Sequence, residues 1–372
     1  MSDKMTAVVK TKPVQGAEKQ SVQIPRIEDD EVLVRILATS ICGTDVHIYK
    51  WDPWSASRIG ERRLPQTMGH EMAGDVVEIG KAVKGIRVGD YVSAETHIPD
   101  PRDLQTQLGQ MHIGQNMSIL GVDRDGTFAA YIAVPALVCW VNDRSIPPEQ
   151  AAVQEPLGNA TYAVLAEDND IAGKSMVIIG DGPTALFSVA VARTCGVTQI
   201  FHVGKYEFNM EIGRRLGADH SLYANAKDVD RTAYVLDHTR GFGADLVLDM
   251  AGSPQALSEG FKMLRKGGRF TAFGVASESP CPIDYNNGIV FKGCQVHGIN
   301  GRKMFDTWYR VRNLLSSGRL DITPVITNLL SLDEWQTGFD KMMERPRNAA
   351  KVVLFPDGGE LAAARDRMAA RS

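Results

Sequence analysis

The stretch SMVIIGDGPTA at residues 175–185 gives the strongest prediction of the fold in the second half of this chain. An apolar β-run leads directly into a glycine-rich turn, and a helical run begins at a proline, which suits the first turn of a helix. The strand, turn and helix match a GxGxxA form of the dinucleotide fingerprint, in which glycines let the pyrophosphate approach a helix N-terminus. The alternative is an ordinary βα turn. We therefore predict a dinucleotide site that comprises Gly180, Gly182, Pro183 and Thr184.

The sequence around this motif alternates between strands and helices. The apolar runs QIFHVG, DLVLDMAG, RFTAFGV and VHGIN are separated by helical stretches, which lie at 183–195, 206–216 and 254–264. Such alternation is typical of a parallel sheet covered by helices. We predict a doubly wound α/β domain of the Rossmann type over residues 156–300.

The first 155 residues follow a different pattern. Short β-runs such as EVLVRIL, GDVVEIG and FAAYIAVP are broken by Gly, Pro and Asp. This half is predicted to be a β-rich partial barrel. A chain of 372 residues also exceeds what one hydrophobic core usually supports, so two domains are expected.

Composition excludes several classes of function. The 41 basic and 45 acidic side chains give a net charge of −4 without a long cationic block, which argues against a nucleic-acid partner. No apolar run approaches the roughly 18 residues of a membrane span, and the start MSDKMTAVVK lacks an apolar signal region. The five cysteines are scattered and include no CxxC, so reduced thiols and a cytoplasmic location are expected.

Three short motifs carry candidate metal ligands. ICGTD at 41–45 precedes GHE at 69–71, and QEPLGN places Glu155 just ahead of the dinucleotide motif. A thiolate from Cys42 and an imidazole from His70 are ligands that Zn²⁺ takes, and a carboxylate would complete an open catalytic site. Taken singly, Cys42 and His70 are more often a buried apolar residue and a core histidine. Their combination predicts a zinc site.

These motifs resemble those of a known superfamily. GHEMAGDVVEIGKAV at 69–83 fits the zinc alcohol dehydrogenase signature, and the chain resembles the zinc-dependent medium-chain dehydrogenase/reductase superfamily over nearly its whole length. Within it, CGTDVHIYKWDPWS at 42–55 and GRKMFDTWY at 301–309 resemble the L-threonine 3-dehydrogenases. The resemblance implies a GroES-like catalytic domain over 1–155 and 301–372, because AKVVLF returns to complete it. It also implies a homodimer or homotetramer formed through the edge run VHGIN.

The resemblance further implies metal-assisted hydride transfer between a nicotinamide and a small polar secondary alcohol. The candidate ligands of one catalytic zinc per chain are Cys42, His70, Glu155 and, in some states, Glu71. Thr44 would accept the hydroxyl proton and His47 would carry it to solvent, while His97 in AETHI would line the active site. The alternatives are a turn hydroxyl for Thr44 and a surface histidine for His47.

The first departure from the resemblance concerns the cofactor. NAD enzymes normally place an acidic residue at the end of the second strand, but here that strand ends in Gly204 and Lys205. A missing carboxylate would remove repulsion of a 2′-phosphate, and Lys205 would supply a cation. We therefore predict that NADP(H) is preferred over NAD(H). The alternative is a solvated Lys205 and an enzyme that accepts either cofactor.

Two further departures concern a second metal and the substrate. Four positions that hold structural-zinc cysteines in many relatives fall here on Asp100, Asp103, Thr106 and Gly114. These side chains do not form a thiolate cage, so no structural zinc is expected. About three extra residues before His70 bring in candidate anion-binding residues, which are Arg58, Arg62 and Arg63. A solvated loop is the alternative.

Three functions remain open at this point. The first is a dehydrogenase for L-threonine or another β-hydroxy amino compound. The second is a dehydrogenase for a polyol, sugar, cyclitol or anionic hydroxy compound. The third is a zinc-free quinone reductase or a non-catalytic scaffold with the same fold, although retention of a complete ligand set argues against it.

Overall fold

The computed structural model describes residues 3–276 and 280–370 and contains two α/β regions. The first region is rich in strands, as predicted from its short β-runs. Its strands are β1 (Lys4–Lys10), β2 (Glu18–Gln23), β3 (Glu31–Ser40), β4 (Gln66–Thr67), β5 (Glu71–Ile79), β6 (Tyr91–Ala94), β7 (His97–Ile98), β8 (Ser118–Ile119), β9 (Tyr131–Pro135) and β10 (Cys139–Val141). Its helices are α1 (Gly43–Lys50), α2 (Pro53–Ile59), α3 (Leu104–Gln107) and α4 (Pro148–Ala151), with short 3₁₀ turns at Glu61–Arg63, Met111–Ile113 and Ala136–Val138.

The second region is the predicted doubly wound domain. Its strands are β11 (Ser175–Ile179), β12 (Gln199–Gly204), β13 (His220–Tyr223), β14 (Ala244–Asp249), β15 (Leu264–Ala272) and β16 (Gln295–Gly298). Its helices are α5 (Gln154–Leu165), α6 (Pro183–Thr194), α7 (Glu207–Arg215), α8 (Arg231–His238) and α9 (Pro254–Met263), with a π-turn at Asn286–Val290. The strands form one parallel sheet in the order β13-β12-β11-β14-β15-β16, which is the Rossmann order. The fold class predicted from the sequence is confirmed.

The last part of the chain returns to the first region. It contains β17 (Ile326–Ser331), β18 (Lys351–Phe355), α10 (Asp306–Ser316), α11 (Trp335–Met343) and α12 (Gly358–Ala369), with 3₁₀ turns at Thr323–Val325 and Leu332–Glu334. Strand β18 lies between β17 and β3 in a seven-stranded sheet, so AKVVLF does join the N-terminal strands. The predicted domain boundary at 155/156 falls inside α5, and the boundaries themselves stay a prediction.

Two features of the fold bear on the site. The apolar faces of α5 and α6 pack with the parallel sheet in one large buried cluster, which fixes the helix that carries Glu155. Strand β16 lies at the open edge of the sheet, as expected for VHGIN, and oligomerisation through it stays a prediction. Among the described residues, no helix has the length and apolar character that a membrane crossing requires.

Candidate active site

Three side chains that could bind a metal lie together where β3, β5 and α1 meet. The ligand atoms of Cys42, His70 and Glu71 all lie within 4.8 Å of one another. Gly69 orients this segment: its φ is +89°, and a Cβ there would lie 2.4 Å from the Phe128 ring. A thiolate from the partly buried Cys42, with an imidazole and a carboxylate that are both buried, fits the donor chemistry of Zn²⁺.

Asp45 positions two of these ligands. Its Oδ1 lies 3.3 Å from Nδ1 of His70, and its Oδ2 accepts the backbone N–H of Cys42 at 2.8 Å. Burial alone would lower the pKa of His70, but Asp45 and Cys42 raise that pKa well above its ordinary value. A metal at this imidazole would therefore displace a proton, while Asp45 would orient the ring.

Glu71 is fully buried and has its own counter-ion. Nζ of Lys351 donates to Oε1 of Glu71 at 2.8 Å, and Ser40 donates its hydroxyl to Oε2. Burial raises the pKa of Glu71, and the opposing effect of Lys351 does not fully cancel this rise. Because Lys351 balances its charge, Glu71 can remain beside the ligands without binding a metal.

The structure does not bring Glu155 into the three-residue cluster. Its carboxylate forms an ion pair with Arg302, which also donates from Nη1 to Oδ1 of Asn159 at 2.9 Å. The charge of Glu155 nevertheless raises the pKa of Glu71, so the two carboxylates lie close enough to repel each other. A role for Glu155 as a metal ligand stays a prediction, and Arg302 competes for its oxygens.

Arg302 joins Glu155 to a second buried carboxylate. Its Nε donates to Oε2 of Glu95 at 2.6 Å, its Nη2 pairs with Oε1, and Nε1 of Trp308 donates to Oε2 at 2.7 Å. Arg302 is 1% exposed and Glu95 is 0% exposed. Burial alone would raise the pKa of Glu95, but Arg302 holds that pKa below its ordinary value. This network forms one wall of the site.

The two residues predicted to move a proton lie on α1. Thr44 is partly exposed in the first turn, and His47 lies one turn further on with 59% of its side chain exposed. Residues three apart share a helix face. Nδ1 of His47 lies 2.5 Å from Oδ2 of Asp52. Their placement leads from the metal ligands to solvent, and their proton-transfer roles stay a prediction.

His97 lies beside the Arg302 network. A Cβ at Gly301 would lie 2.7 Å from Cε1 of His97, and Nδ1 of His97 is buried without a hydrogen-bond partner among the described residues. Burial lowers the pKa of His97 to about 4, and Arg302 acts in the same direction. The imidazole is therefore neutral at pH 7.

Two of the three predicted anion-binding arginines pair with one carboxylate. Arg58 donates to Asp123 at 2.6 Å, and Arg63 pairs with the same carboxylate, which is 7% exposed. Arg62 is exposed in the 3₁₀ turn Glu61–Arg63. Asp123 pairs with two of the three guanidinium groups but balances only one of their charges, so substrate recognition by these arginines stays a prediction.

Hydrogen bonds and an ion pair stabilise residues 100–116, the segment in which no structural zinc was expected. Asp103 accepts the backbone N–H of Asn116 at 2.8 Å and its side-chain amide at 2.6 Å, while Asp100 pairs with Arg102. A Cβ at Gly114 would lie 2.7 Å from Oδ2 of Asp103. Thr106 lies on the short helix α3 nearby. The absence of a structural zinc stays a prediction.

The dinucleotide turn has the predicted strand–turn–helix form. Gly180 has φ +135°, which favours glycine, and Pro183 is the first residue of α6, with Thr184 behind it. Gly182 caps this helix and has open space where a Cβ would be. These features leave room for a pyrophosphate at the helix N-terminus. Cofactor contacts by these residues stay a prediction.

The structure corrects one premise of the cofactor prediction. The space beside Gly204 does not lack a carboxylate, because Asp181 occupies it and accepts the backbone N–H groups of Lys205 at 2.7 Å and Tyr206 at 2.8 Å. Sequence comparison at position 204 missed this residue because it lies in the preceding turn. The preference for NADP(H) itself is not tested by this geometry.

Comparison with known proteins agrees with the site. The chain matches the family "Alcohol dehydrogenase GroES-like domain" over residues 28–143 and the family "Zinc-binding dehydrogenase" over residues 183–317. It is 44% identical over 357 residues to the L-threonine 3-dehydrogenase of Caldanaerobacter subterraneus subsp. tengcongensis, covering 96% of this chain and 100% of the relative. The chain belongs to the zinc-containing medium-chain dehydrogenase superfamily.

Two further relatives support this membership. The L-threonine 3-dehydrogenase of Pyrococcus furiosus is 46% identical over 356 residues, covering 95% of this chain and 99% of the relative. The crystal structure of 2R,3R-butanediol dehydrogenase from Bacillus subtilis superposes with a TM-score of 0.85 at 25% identity, covering 95% of this chain and 100% of that one. The chain is therefore an alcohol dehydrogenase of the zinc-containing type, acting on the CH–OH group of its donor.

Sequence reasoning missed the charged residues that surround the ligands, which are Asp45, Lys351, Glu95, Arg302 and Asp181. Three of them left a signal. Asp45 lies three residues after Cys42, at the third position of α1, where an acidic residue completes a capping box. Lys351 interrupts the apolar run AKVVLF, and Arg302 lies in the specific string GRKMFDTWY. Only the tertiary contacts assign them partners.

Proposed function

We propose that this protein oxidises a small polar secondary alcohol by transferring hydride to a nicotinamide dinucleotide, with zinc bound by Cys42 and His70. The observation that carries the proposal is the cluster of these residues with Glu71, whose ligand atoms lie within 4.8 Å of one another. A bound Zn²⁺ supplies Lewis acidity, which lowers the pKa of a donor hydroxyl. Glu155 serves as a further ligand when it is released from Arg302.

Other residues of the chain are proposed to transfer the proton and to position the metal ligand and the substrate. Thr44 accepts the hydroxyl proton and passes it to His47, whose exposed ring exchanges it with water. Asp45 holds His70 in one orientation. His97 stays neutral and lies beside Gly301 and the Arg302 network, from which it is proposed to line the active site.

L-Threonine or another β-hydroxy amino compound is the proposed donor. Identities of 44% and 46% to L-threonine 3-dehydrogenases over nearly the full length support this substrate class. A polyol is the second candidate, because the fold superposes on 2R,3R-butanediol dehydrogenase with a TM-score of 0.85. The substrate is proposed to be a small molecule handled in the cytoplasm by a homodimer or homotetramer.

Metal content and turnover test this function together. Purified protein should contain about one zinc per chain and should reduce NAD or NADP with one member of a panel of threonine, amino alcohols, polyols and anionic hydroxy acids. Cys42→Ser and His70→Ala should each lose the bound zinc and the turnover. Cys281→Ser is the matched control, because that cysteine is not part of the metal cluster.

Two results would overturn the proposal. Turnover that survives in both ligand variants would exclude catalytic zinc. A protein without zinc and without turnover would instead favour the quinone reductase or scaffold alternative.

A further inference from the structure

A carboxylate links the dinucleotide turn to the end of the second strand of the parallel sheet. Asp181 follows Gly180, and its Oδ2 accepts the backbone N–H groups of Lys205 and Tyr206 at 2.7 and 2.8 Å. Its backbone carbonyl accepts the side-chain amide of Asn209 at 2.7 Å. Asp181 therefore lies across the ends of β11 and β12, where a Rossmann domain binds the adenosine ribose.

The side chain of Asp181 takes the space that a side chain at position 204 would need. A Cβ built on Gly204 would lie 2.6 Å from Cβ of Asp181 and 2.5 Å from Sδ of Met210. Such contacts are too short for both side chains to be present. The Asp181 side chain therefore starts within 2.6 Å of the position where the side chain of an acidic residue at the end of β12 would start, although Asp181 belongs to the glycine-rich turn.

Cations also lie around this position. Lys205 is exposed, the guanidinium of Arg345 lies 5.7 Å from the centroid of the Tyr206 ring, and Arg347 is close enough for Asp181 to raise its pKa against the larger lowering effect of burial. These cations would attract a 2′-phosphate. The Lys205 ammonium is screened by solvent, and Arg347 donates to the carbonyl of Met342.

Asp181 disfavours binding of a 2′-phosphate more strongly than these cations favour it, for two reasons. It occupies the backbone N–H groups of Lys205 and Tyr206, which a phosphate oxygen would otherwise accept. Its second oxygen, Oδ1, has no hydrogen-bond partner in the described part of the chain, so it is free to accept a ribose hydroxyl. A 2′-phosphate would bring about −2 of charge against this carboxylate.

We propose that Asp181 determines cofactor choice and selects NAD(H), with its carboxylate accepting the adenosine ribose 2′-hydroxyl and repelling a 2′-phosphate. The proposal rests on the proposed function as a nicotinamide-dependent oxidoreductase. It reverses the NADP(H) preference predicted from Gly204 and Lys205.

The test is fluorescence titration of the purified full chain with NADH and with NADPH, which measures binding without turnover. Wild-type protein should bind NADH more tightly. Asp181→Ala should weaken NADH binding and strengthen NADPH binding, moving the ratio of the two Kd values by about tenfold or more towards NADPH. Asp181→Gly combined with Gly204→Asp should restore the NADH preference, because glycine removes the Cβ that would lie 2.6 Å from the new one, and the Met210 side chain is flexible enough to move. Asp181→Asn repeats the test with an isosteric side chain.

The control is Asp237→Asn, which removes an aspartate that is 88% exposed in the same domain and should leave the ratio unchanged. A wild-type preference for NADPH would overturn the proposal, as would a ratio that neither Asp181→Ala nor Asp181→Asn alters. If wild-type protein binds neither dinucleotide, the proposed function fails as well. If it binds both and the ratio does not move, only the role of Asp181 fails.

Discussion

Replacing Arg302 with methionine should destabilise the protein strongly, because it leaves buried carboxylates without their cation. Arg302 is 1% exposed and pairs with Glu95 through two nitrogens and with Glu155 through a third contact. Removing one partner of a buried ion pair typically costs about 3–5 kcal/mol. We expect Arg302→Met to lower the free energy of unfolding by that amount, measured by urea denaturation and followed by tryptophan fluorescence.

The loss of stability in Arg302→Met should also depend on pH. Burial raises the pKa of Glu95, whereas Arg302 lowers it below its ordinary value of 4.5. Without the arginine, the pKa of Glu95 in the folded state should rise above 4.5, while the unfolded chain still ionises near 4.5. The deficit in stability should therefore grow as the pH rises above about 4.5 and should shrink in acid.

Lys303→Met provides the matched control. Lys303 is the next residue and also forms an ion pair, at 3.0 Å to Glu167, but the two side chains are 40% and 54% exposed. Exposed pairs contribute about 0–1 kcal/mol. The buried network does not stabilise the fold in this way if Arg302→Met lowers the free energy of unfolding no more than Lys303→Met does. The same conclusion follows if the loss of stability in Arg302→Met does not change with pH.

Three further predictions concern the residues around the site. Asp45→Asn should weaken zinc binding about tenfold to a hundredfold in a chelator competition, because His70 loses the carboxylate that orients it; unchanged affinity would contradict this role. Gly204→Asp alone should lower the free energy of unfolding by about 1–3 kcal/mol, since its Cβ would lie 2.6 Å from Cβ of Asp181, which is fixed by the backbone, and a fully stable single variant would show that the space is available. His97 should make the wild-type protein less stable in acid: the unfolded chain binds a proton near pH 6.5, but the folded chain resists it until about pH 4. Urea unfolding of His97→Asn across this pH range should show a weaker dependence, and an identical slope would count against the buried neutral imidazole.

Local signals in the sequence predict the parallel-sheet domain and the chemical type of the ligands. The run SMVIIGDGPTA contains its own strand, turn and helix signals, all of which act between residues a few positions apart. Likewise, the motifs ICGTD and GHE together indicate a thiol and an imidazole as metal ligands, although each residue alone is ambiguous. Local patterns of this kind can be recognised without knowing the path of the chain.

The charged residues that surround the ligands became evident only in the folded structure. Arg302 and Glu95 lie 207 positions apart, and Lys351 and Glu71 lie 280 positions apart, so no local period or spacing links them. The same holds for Asp181, which fills the space beside Gly204 from the neighbouring strand's turn. Such pairs form because burial forces each charge to find a partner among the side chains that the folded backbone brings within reach. The sequence therefore predicted the kind of site, while the fold selected the residues that tune it.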